Sequence, residues 1–232
     1  MESRSLPTTA TWYFDVISPF AYFALGEIEE MAKTMTIVYR PVLFAGLLQH
    51  WKQLGPAEIG PKRVHTYRFC VWEAQRRGIP FRFPPAHPFN PLKPLRLITA
   101  LKAEPRIVRA VMDRIWRDGL DLSVEANWAT TCAAVGLDAA AANALVEAAD
   151  TKAVLRATTE QAIATKLFGV PTLRIGEESF WGVDALPMAR AYLDHASTTP
   201  ARPEALEALT AWAALPAADP GRLPEEGSAN SA

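Results

Sequence analysis

A serine followed by a proline, Ser18-Pro19, closes a short apolar run and stands where chemistry could occur. Ser18 is a favoured N-cap and Pro19 fits the first helical position, so the pair predicts a strand that runs straight into a helix. Such a junction presents a helix N-terminus at the carboxyl edge of a sheet, where unpaired N–H groups and a partial positive charge suit a bound anion. The alternative is that Ser18 only caps the helix and Pro19 only starts it, since these signals occur at ordinary helices.

The composition limits the classes of function. The chain has 232 residues with 24 basic and 25 acidic side chains, a balance that argues against nucleic acid or an anionic membrane surface as partner. No apolar run is long enough to span a bilayer and the N-terminus lacks an apolar signal core, so we expect a cytoplasmic protein of enzyme size. Cys70 and Cys132 form neither a C-x-x-C pair nor part of a metal-ligand cluster, which predicts buried thiols and no metal site.

The elements around Ser18 follow a βαβ order. A helix is expected from about Pro19 to Lys33, and the β-branched run from Thr36 to Arg40 predicts a second strand, parallel to the first. At the other end of the chain, segments 172–175 and 178–181 flank a Gly-Glu turn and predict a β-hairpin, which is followed by a helix through residue 193.

The middle of the chain is helical in pattern. Helices are predicted over 61–78, from 104 to near Gly119, from Asp121 or Ser123 to Gly136, from Asp138, and from Asp150 to 168–169. Segment 79–91 is rich in proline and aromatic residues, so it can be neither regular helix nor interior strand and is predicted to be a stiff strap across something apolar.

This order predicts an α/β protein with a thioredoxin-like fold and a long all-helical insertion between an N-terminal βαβ unit and a C-terminal ββα unit. We expect a discontinuous thioredoxin-like domain of residues 10–44 and 160–196, a helical insertion domain of 45–159, and a C-terminal extension of 197–232. In the extension a short helix can form over 204–215 before a disordered tail. In such folds a proline at the position of Pro171 adopts the cis peptide opposite the first helix; an ordinary trans proline at a strand start is the alternative.

Three blocks carry a family resemblance: residues 14–22, 168–172 and 180–184. They resemble the corresponding blocks of 2-hydroxychromene-2-carboxylate isomerases, a group that also holds kappa-class glutathione transferases and, more distantly, the disulfide oxidoreductase DsbA. The resemblance spans roughly residues 11–195. It is weaker in the middle, where it rests on Pro41, Lys62, 78–80 and Arg96.

The resemblance implies glutathione as cofactor and Ser18 as the catalytic residue. A dithiol oxidoreductase needs two thiols at this helix start, but here the four positions from Ser18 to Ala21 contain none. A hydroxyl and a helix dipole can instead lower the pKa of a bound glutathione thiol, which leaves more thiolate at neutral pH.

The resemblance also implies where the tripeptide lies. The Val170 backbone, just before Pro171, would pair with the cysteinyl backbone, and Asp184 would meet the γ-glutamyl ammonium. Ala185 would contribute only backbone contacts. Lys62 would face the glycyl carboxylate. Asp184 is also a good N-cap and Lys62 a plausible solvated charge, so both have ordinary structural alternatives.

The expected substrate pocket is aromatic. Phe20, Trp51, the strap and Trp181 are candidates for its walls, and His50, His87 and Asn90 for polar contacts to a carboxylate or phenol, although histidines are often structural. The sequence departs from relatives at His65, where many have tyrosine, and at 47–51, which lacks the Gly-Asn turn of kappa enzymes.

By this resemblance the chain is a glutathione-dependent isomerase acting on a small aromatic carboxylate or other electrophile, without nucleic-acid or membrane partners, and a homodimer. A kappa-like transferase and a non-catalytic thioredoxin-like binding module are the alternatives.

Overall fold

The computed structural model describes residues 9–198, with side chains as far as Leu193. Residues 9–190 lie within one compact unit, and residues 191–198, the end of the last helix, lie outside it. The helix predicted over 204–215 and the predicted tail fall outside the described residues.

Four strands form one mixed sheet: β1 (Thr9–Phe14), β2 (Thr36–Pro41), β3 (Thr172–Ile175) and β4 (Glu178–Trp181). Their order across the sheet is β2-β1-β3-β4. β1 runs parallel to β2 and antiparallel to β3, which in turn pairs antiparallel with β4. This is the predicted arrangement of a βαβ unit joined to a β-hairpin, and it confirms the thioredoxin-like α/β fold.

Helix α1 (Pro19–Met31) makes the crossover between the two parallel strands. It begins where predicted, because the Ser18 side chain accepts a hydrogen bond from the Ala21 N–H and Pro19 needs no backbone partner in the first turn. Phe23, Leu25 and Ile28 are buried. The apolar face of α1 therefore holds the β1–α1 junction firmly in the core.

Seven helices lie between β2 and β3 in the sequence: α2 (Phe44–Trp51), α3 (Gly60–Arg77), α4 (Leu92–Ala100), α5 (Pro105–Met112), α6 (Glu125–Ala134), α7 (Ala139–Glu147) and α8 (Ala149–Ala164). A π-helical turn, Asp113–Arg117, continues α5. The helical insertion is thus as predicted in kind. No side chain caps α2, whose N-cap position is Leu43, and sequence reasoning did not predict this helix.

Some predicted boundaries were wrong. The last insertion helix was expected to reach 168–169, but α8 ends at Ala164 and Lys166 adopts a positive φ of 63°. The helix expected from Asp121 or Ser123 starts at Glu125, because the Asp121 carboxylate accepts hydrogen bonds from Ser123 instead. The closing helix, α9 (Leu186–Thr198), continues past residue 193.

The strap of residues 79–91 has no regular secondary structure and wraps the indole of Trp116. Phe81 stacks on this indole with ring centroids 5.7 Å apart, and Phe83 meets it edge-on at 5.9 Å. The Arg82 N–H donates to the Trp116 carbonyl. The prediction that the strap lies across an apolar surface is confirmed, and the Trp116 indole is part of that surface.

Within residues 9–198 no single helix is long and apolar enough to cross a membrane; α6 and α7 taken together have the length and composition but are bent by 92°.

Candidate functional site

Three segments meet at the carboxyl end of β1. Tyr13 pairs with Thr172, so Val170 and Pro171, which precede β3, lie beside the end of β1 where the chain turns toward Ser18. Trp181 pairs with Thr172, and the Gly182 N–H donates to the Pro171 carbonyl at 2.9 Å. The Val170–Pro171 peptide is cis. The register alone therefore gathers the Ser18, Pro171 and Gly182 segments at one edge of the sheet.

Ser18 is only 7% exposed and sits at the N-terminus of α1. Its Oγ accepts from the Ala21 N–H at 3.3 Å, which leaves its own hydrogen free to be donated outward. Among the described residues none accepts from the Phe20 N–H, one of the unpaired donors of the first helical turn. A hydroxyl hydrogen, an N–H group and the positive end of the helix dipole together suit a single small anion.

Asp15 anchors the turn that leads into Ser18. Its fully buried carboxylate accepts from the Ile17 N–H at 3.0 Å and from the Phe44 N–H, at the start of α2, at 2.8 Å. Burial raises the pKa of this carboxyl from 3.8 to about 7, although the hydrogen bonds from Ile17 and Phe44 act in the opposite direction. Asp15 thereby ties the Ser18 turn to the neighbouring helix.

Two further side chains reach the same turn from distant parts of the chain. The Trp116 Nε1–H donates to the Val16 carbonyl at 2.9 Å. The His87 Nε2 lies 2.9 Å from the Ile17 carbonyl, and its Nδ1 lies 2.7 Å from the Tyr67 hydroxyl. Burial lowers the pKa of His87. Both ring nitrogens of His87 are thus engaged inside the protein.

Trp181 and Asp184 line the opposite side of this edge. The Trp181 indole lies so close over Gly169 that a Cβ there would collide with it, and the ring also meets Phe168 edge-on at 5.1 Å. Gly182 has a φ of 91°, and the exposed Asp184 carboxylate folds back over its Cα. Because the first backbone bond of α9 runs from Ala189 to Ala185, Asp184 stands just before the helix cap.

Lys62 lies in the exposed first turn of α3. The ring of Phe69 meets that of Phe20 at 6.1 Å, and Arg77 pairs with Glu27 at 2.8 Å. The second contact lies later than the first in both helices, so α3 runs parallel to α1. Lys62 precedes Phe69 by two turns, so at 1.5 Å per residue the start of α3 projects roughly 10 Å beyond the N-terminal turn of α1.

The remaining predicted site residues have varied surroundings. The Trp51 Nε1–H donates to the Leu167 carbonyl at 2.9 Å, which ties the end of α2 to the segment before Val170. His50 is exposed and meets only the Trp51 ring edge-on at 4.8 Å among the described ring contacts. Asn90 is exposed, and its side chain accepts from the Leu92 N–H at the start of α4.

Sequence reasoning missed Asp15, Tyr67 and Trp116 as parts of this site. An acid inside the apolar run 12–17 was a usable signal for Asp15, because a charge in a buried strand end requires partners. Tyr67 and Trp116 gave no local signal, since their contacts bridge 20 and 100 positions of sequence.

Comparisons with known proteins agree with this fold. Residues 9–194 match the family described as a DSBA-like thioredoxin domain. The chain is 30% identical over 192 residues to 2-hydroxychromene-2-carboxylate isomerase of Sphingobium xenophagum, covering 80% of this chain and 97% of the relative. It is 25% identical over 202 residues to glutathione S-transferase kappa 2 of Caenorhabditis elegans, covering 78% and 90% respectively.

A solved 2-hydroxychromene-2-carboxylate isomerase superimposes with a TM-score of 0.72 at 26% identity, covering 81% of this chain and 95% of that chain. The chain therefore belongs to the DSBA-like thioredoxin family, in the group of 2-hydroxychromene-2-carboxylate isomerases and their kappa-class transferase relatives.

Proposed function

We propose that this protein is a glutathione-dependent isomerase of the 2-hydroxychromene-2-carboxylate type. The observation that carries the proposal is the α1 N-terminus, where a nearly buried serine hydroxyl stands in place of a thiol with a donor hydrogen to spare. The 30% identical relative named as such an isomerase supports the choice of reaction.

The thiol side of the site fits an external thiolate. The Ser18 hydroxyl hydrogen and the Phe20 N–H have no acceptor among the described residues, so both can donate to an anion at the start of α1, and the helix dipole adds to them. These groups favour the ionised form of a thiol and so lower its pKa. When bound, glutathione supplies the nucleophile, a thiolate that adds reversibly to a conjugated double bond and so permits rotation about it.

The rest of the site fits an extended tripeptide. Val170 lies just beyond the paired part of β3, so its backbone can pair with a strand-like ligand. Asp184 offers a carboxylate to an ammonium group on that side, and Lys62 offers an ammonium to a carboxylate on the projecting end of α3. An extended tripeptide spans roughly 10 Å, which is comparable to that projection.

The aromatic residues suit an aromatic substrate beside the thiol. Phe20 follows the helix cap directly and its ring is half-buried against Phe23 and Phe69. On the other side Trp181 is 53% exposed, although its indole is fixed over Gly169. Two presented ring faces can hold a planar aromatic acid by stacking.

The identity to the kappa-class transferase favours one second candidate, the conjugation of glutathione to an electrophile. The two reactions differ in whether the thiol is consumed. Parallel assays of free thiol and of chromene carboxylate turnover therefore separate them: an isomerase turns over many substrate molecules with no loss of thiol, whereas a transferase loses one thiol per product.

The proposal is tested by Ser18→Ala. Loss of one donor to a developing or bound anion typically costs about 100-fold or more in rate, so we expect kcat/KM for chromene carboxylate to fall by that factor. The N-cap is lost as well, which lowers the free energy of unfolding by about 1 kcal/mol. Asp138→Ala is the matched control, because the Asp138 side chain caps α7 in the same way through the Ala141 N–H.

Asp138→Ala should lose similar stability and retain full activity. Turnover by the wild type without glutathione, or an active Ser18→Ala variant, would contradict the proposed mechanism. A glutathione-dependent thermal shift in the wild type is the simplest first measurement.

A further inference from the structure

The two peptide groups that lead into Ser18 are each bonded at both ends. In the Val16–Ile17 peptide, Trp116 Nε1–H donates to the carbonyl and the Asp15 carboxylate accepts from the N–H. In the Ile17–Ser18 peptide, His87 bonds the carbonyl at 2.9 Å and the Asp15 carbonyl accepts from the Ser18 N–H at 3.1 Å. Because a peptide is planar, bonds at both ends leave its plane almost no freedom to rotate.

The bond from His87 fixes the tautomer of its ring. The Ile17 carbonyl can only accept, so the His87 Nε2 must carry the hydrogen. In the neutral ring Nδ1 then has a lone pair, and the Tyr67 hydroxyl lies 2.7 Å from it and 2.6 Å from the His87 carbonyl, so its one hydrogen is shared between these two acceptors. Tyr67 in turn packs on Phe83 with ring centroids 4.6 Å apart. The His87 imidazole thereby joins helix α3 and the strap to the turn of residues 15–18 that leads into α1.

The surroundings of His87 make it a poor substrate ligand. Its ring is enclosed by Phe83, Phe89 and Trp116, with centroids 5.5 to 6.0 Å away. With Nε2 and Nδ1 both bonded inside the protein, contact with a substrate carboxylate would require one of these bonds to break. The geometry instead directs the imidazole at the backbone of the residue before Ser18.

We propose that His87, oriented by Tyr67, is a positioning residue that fixes the Ile17–Ser18 peptide and so aims the Ser18 hydroxyl at the thiolate. This inference rests on the proposed function of Ser18 as the thiolate donor. It assigns to the strap a role in catalysis, because the strap carries His87. The His87 imidazole does not touch the Ser18 hydroxyl but sets its position through the Ile17–Ser18 peptide.

The test compares His87→Phe with His87→Gln. Phenylalanine fills the aromatic enclosure but leaves the Ile17 carbonyl without its donor. The glutamine amide can still place an N–H near the position of Nε2. The readouts are the pH titration of bound glutathione, followed by thiolate ultraviolet absorbance, and kcat at saturating glutathione. The titration and kcat report how the Ser18 hydroxyl is oriented toward the thiolate, whereas thermal unfolding and near-ultraviolet circular dichroism report folding.

For His87→Phe we expect a loss in kcat of about 10-fold or more, since small misplacements of catalytic groups are costly. The bound thiol should also titrate at a pKa about half a unit or more above its wild-type value. His87→Gln should recover kcat to within about 3-fold and the thiol pKa to within about 0.2 units of the wild type, as a retained N–H predicts. Equal loss in the two variants, or wild-type behaviour of His87→Phe, would overturn the positioning role.

Tyr67→Phe provides an independent arm if His87→Phe does not fold. It keeps the ring packing on Phe83 and removes only the hydroxyl, so we expect kcat to fall by about 3-fold through a less oriented imidazole. An unchanged Tyr67→Phe enzyme would contradict the orienting role. If the wild type itself binds no glutathione or does not lower its thiol pKa, the proposed function fails, and that outcome is visible before any variant is compared.

Discussion

The two sides of the candidate site are built in different ways. On the Ser18 side a largely buried turn of four residues is held by its own Asp15 and by side chains from two other segments, His87 and Trp116. At the rim of the site, Lys62 and Asp184 are exposed charges, one on the start of α3 and the other on the loop before α9. The Ser18 turn is held by buried hydrogen bonds, whereas the two rim charges are exposed to solvent.

Under the proposed function, this difference corresponds to two tasks. Lowering a thiol pKa requires a hydroxyl at a fixed distance and angle from one sulfur atom, and a misplaced group loses most of its effect. Recognition of the charged ends of a tripeptide requires only opposite charges within reach, because the Coulomb attraction changes slowly with distance. The buried contacts should therefore control stability and rate, and the rim charges should control affinity alone.

The largest expected effect lies at Asp15 and concerns pH. Burial raises the pKa of this carboxyl from 3.8 to about 7, so between these values the folded state holds a proton that the unfolded state has released. The contribution of Asp15 to stability therefore falls as pH rises through this window, by roughly 4 kcal/mol at most. The free energy of unfolding of wild type minus that of Asp15→Asn, measured from about pH 4 to pH 8, should decrease accordingly.

Asp118→Asn is a control of opposite sign. Hydrogen bonds from Arg117 lower the pKa of Asp118, so this group adds stability that is lost only as pH falls through the acidic range. The free energy of unfolding of the wild type minus that of Asp118→Asn should stay constant over the pH range in which the corresponding difference for Asp15→Asn falls. A flat difference for Asp15→Asn as well would mean that the Ser18 turn holds an ionised carboxylate at all these pH values.

A smaller effect is expected at Gly169, which lies between the two sides. A Cβ at this position would collide with the Trp181 indole, so Gly169→Ala should lower the free energy of unfolding by about 1 to 3 kcal/mol and displace Trp181. Gly26→Ala is the matched control: Gly26 lies in α1, and a Cβ there meets nothing within 4 Å.

Gly26→Ala should stabilise the protein by about 0.5 to 1 kcal/mol, because alanine loses less chain entropy than glycine in a helix. Urea denaturation midpoints measure both variants. If Gly169→Ala is as stable as the wild type, Trp181 is not fixed over Gly169 and belongs to the adjustable rim.

Local signals explain why much of this site was predictable from the sequence. The Ser18-Pro19 cap, the hairpin turn at Gly176 and the helix end at Gly78 follow from residue types whose preferences act over a few positions. The strap was predictable because its prolines exclude both regular structures. These features fixed the order of elements and hence the fold.

The contacts that hold the Ser18 turn could not be predicted in this way. They join Ile17 to His87 and Val16 to Trp116, across 70 and 100 positions of sequence, and no residue type announces such a partner. Helix α2 was missed for a related reason, since its start is stabilised by the distant Asp15 carboxylate rather than by a cap of its own.

The smallest effects are expected from Lys62 and Asp184. Exposed ion pairs contribute little, so Lys62→Ala and Asp184→Ala should each weaken glutathione binding by about 2- to 5-fold with kcat unchanged. Both effects should largely disappear at roughly 1 M salt, where charges are screened within about 3 Å. Lys33→Ala is the control for general charge loss, because Lys33 pairs with Glu30 just past the other end of α1.

Truncated ligands sharpen this last prediction. γ-Glutamylcysteine lacks the glycyl carboxylate, so Lys62→Ala should bind it as well as the wild type does, while Asp184→Ala should still be impaired. Cysteinylglycine lacks the γ-glutamyl ammonium, so Asp184→Ala should bind it as well as the wild type does, while Lys62→Ala should be impaired. If Lys62→Ala weakens both ligands equally, Lys62 acts through the general field around the site. If either variant lowers kcat at saturating glutathione, the rim takes part in setting the thiolate geometry, and the division between a fixed side and an adjustable side does not hold.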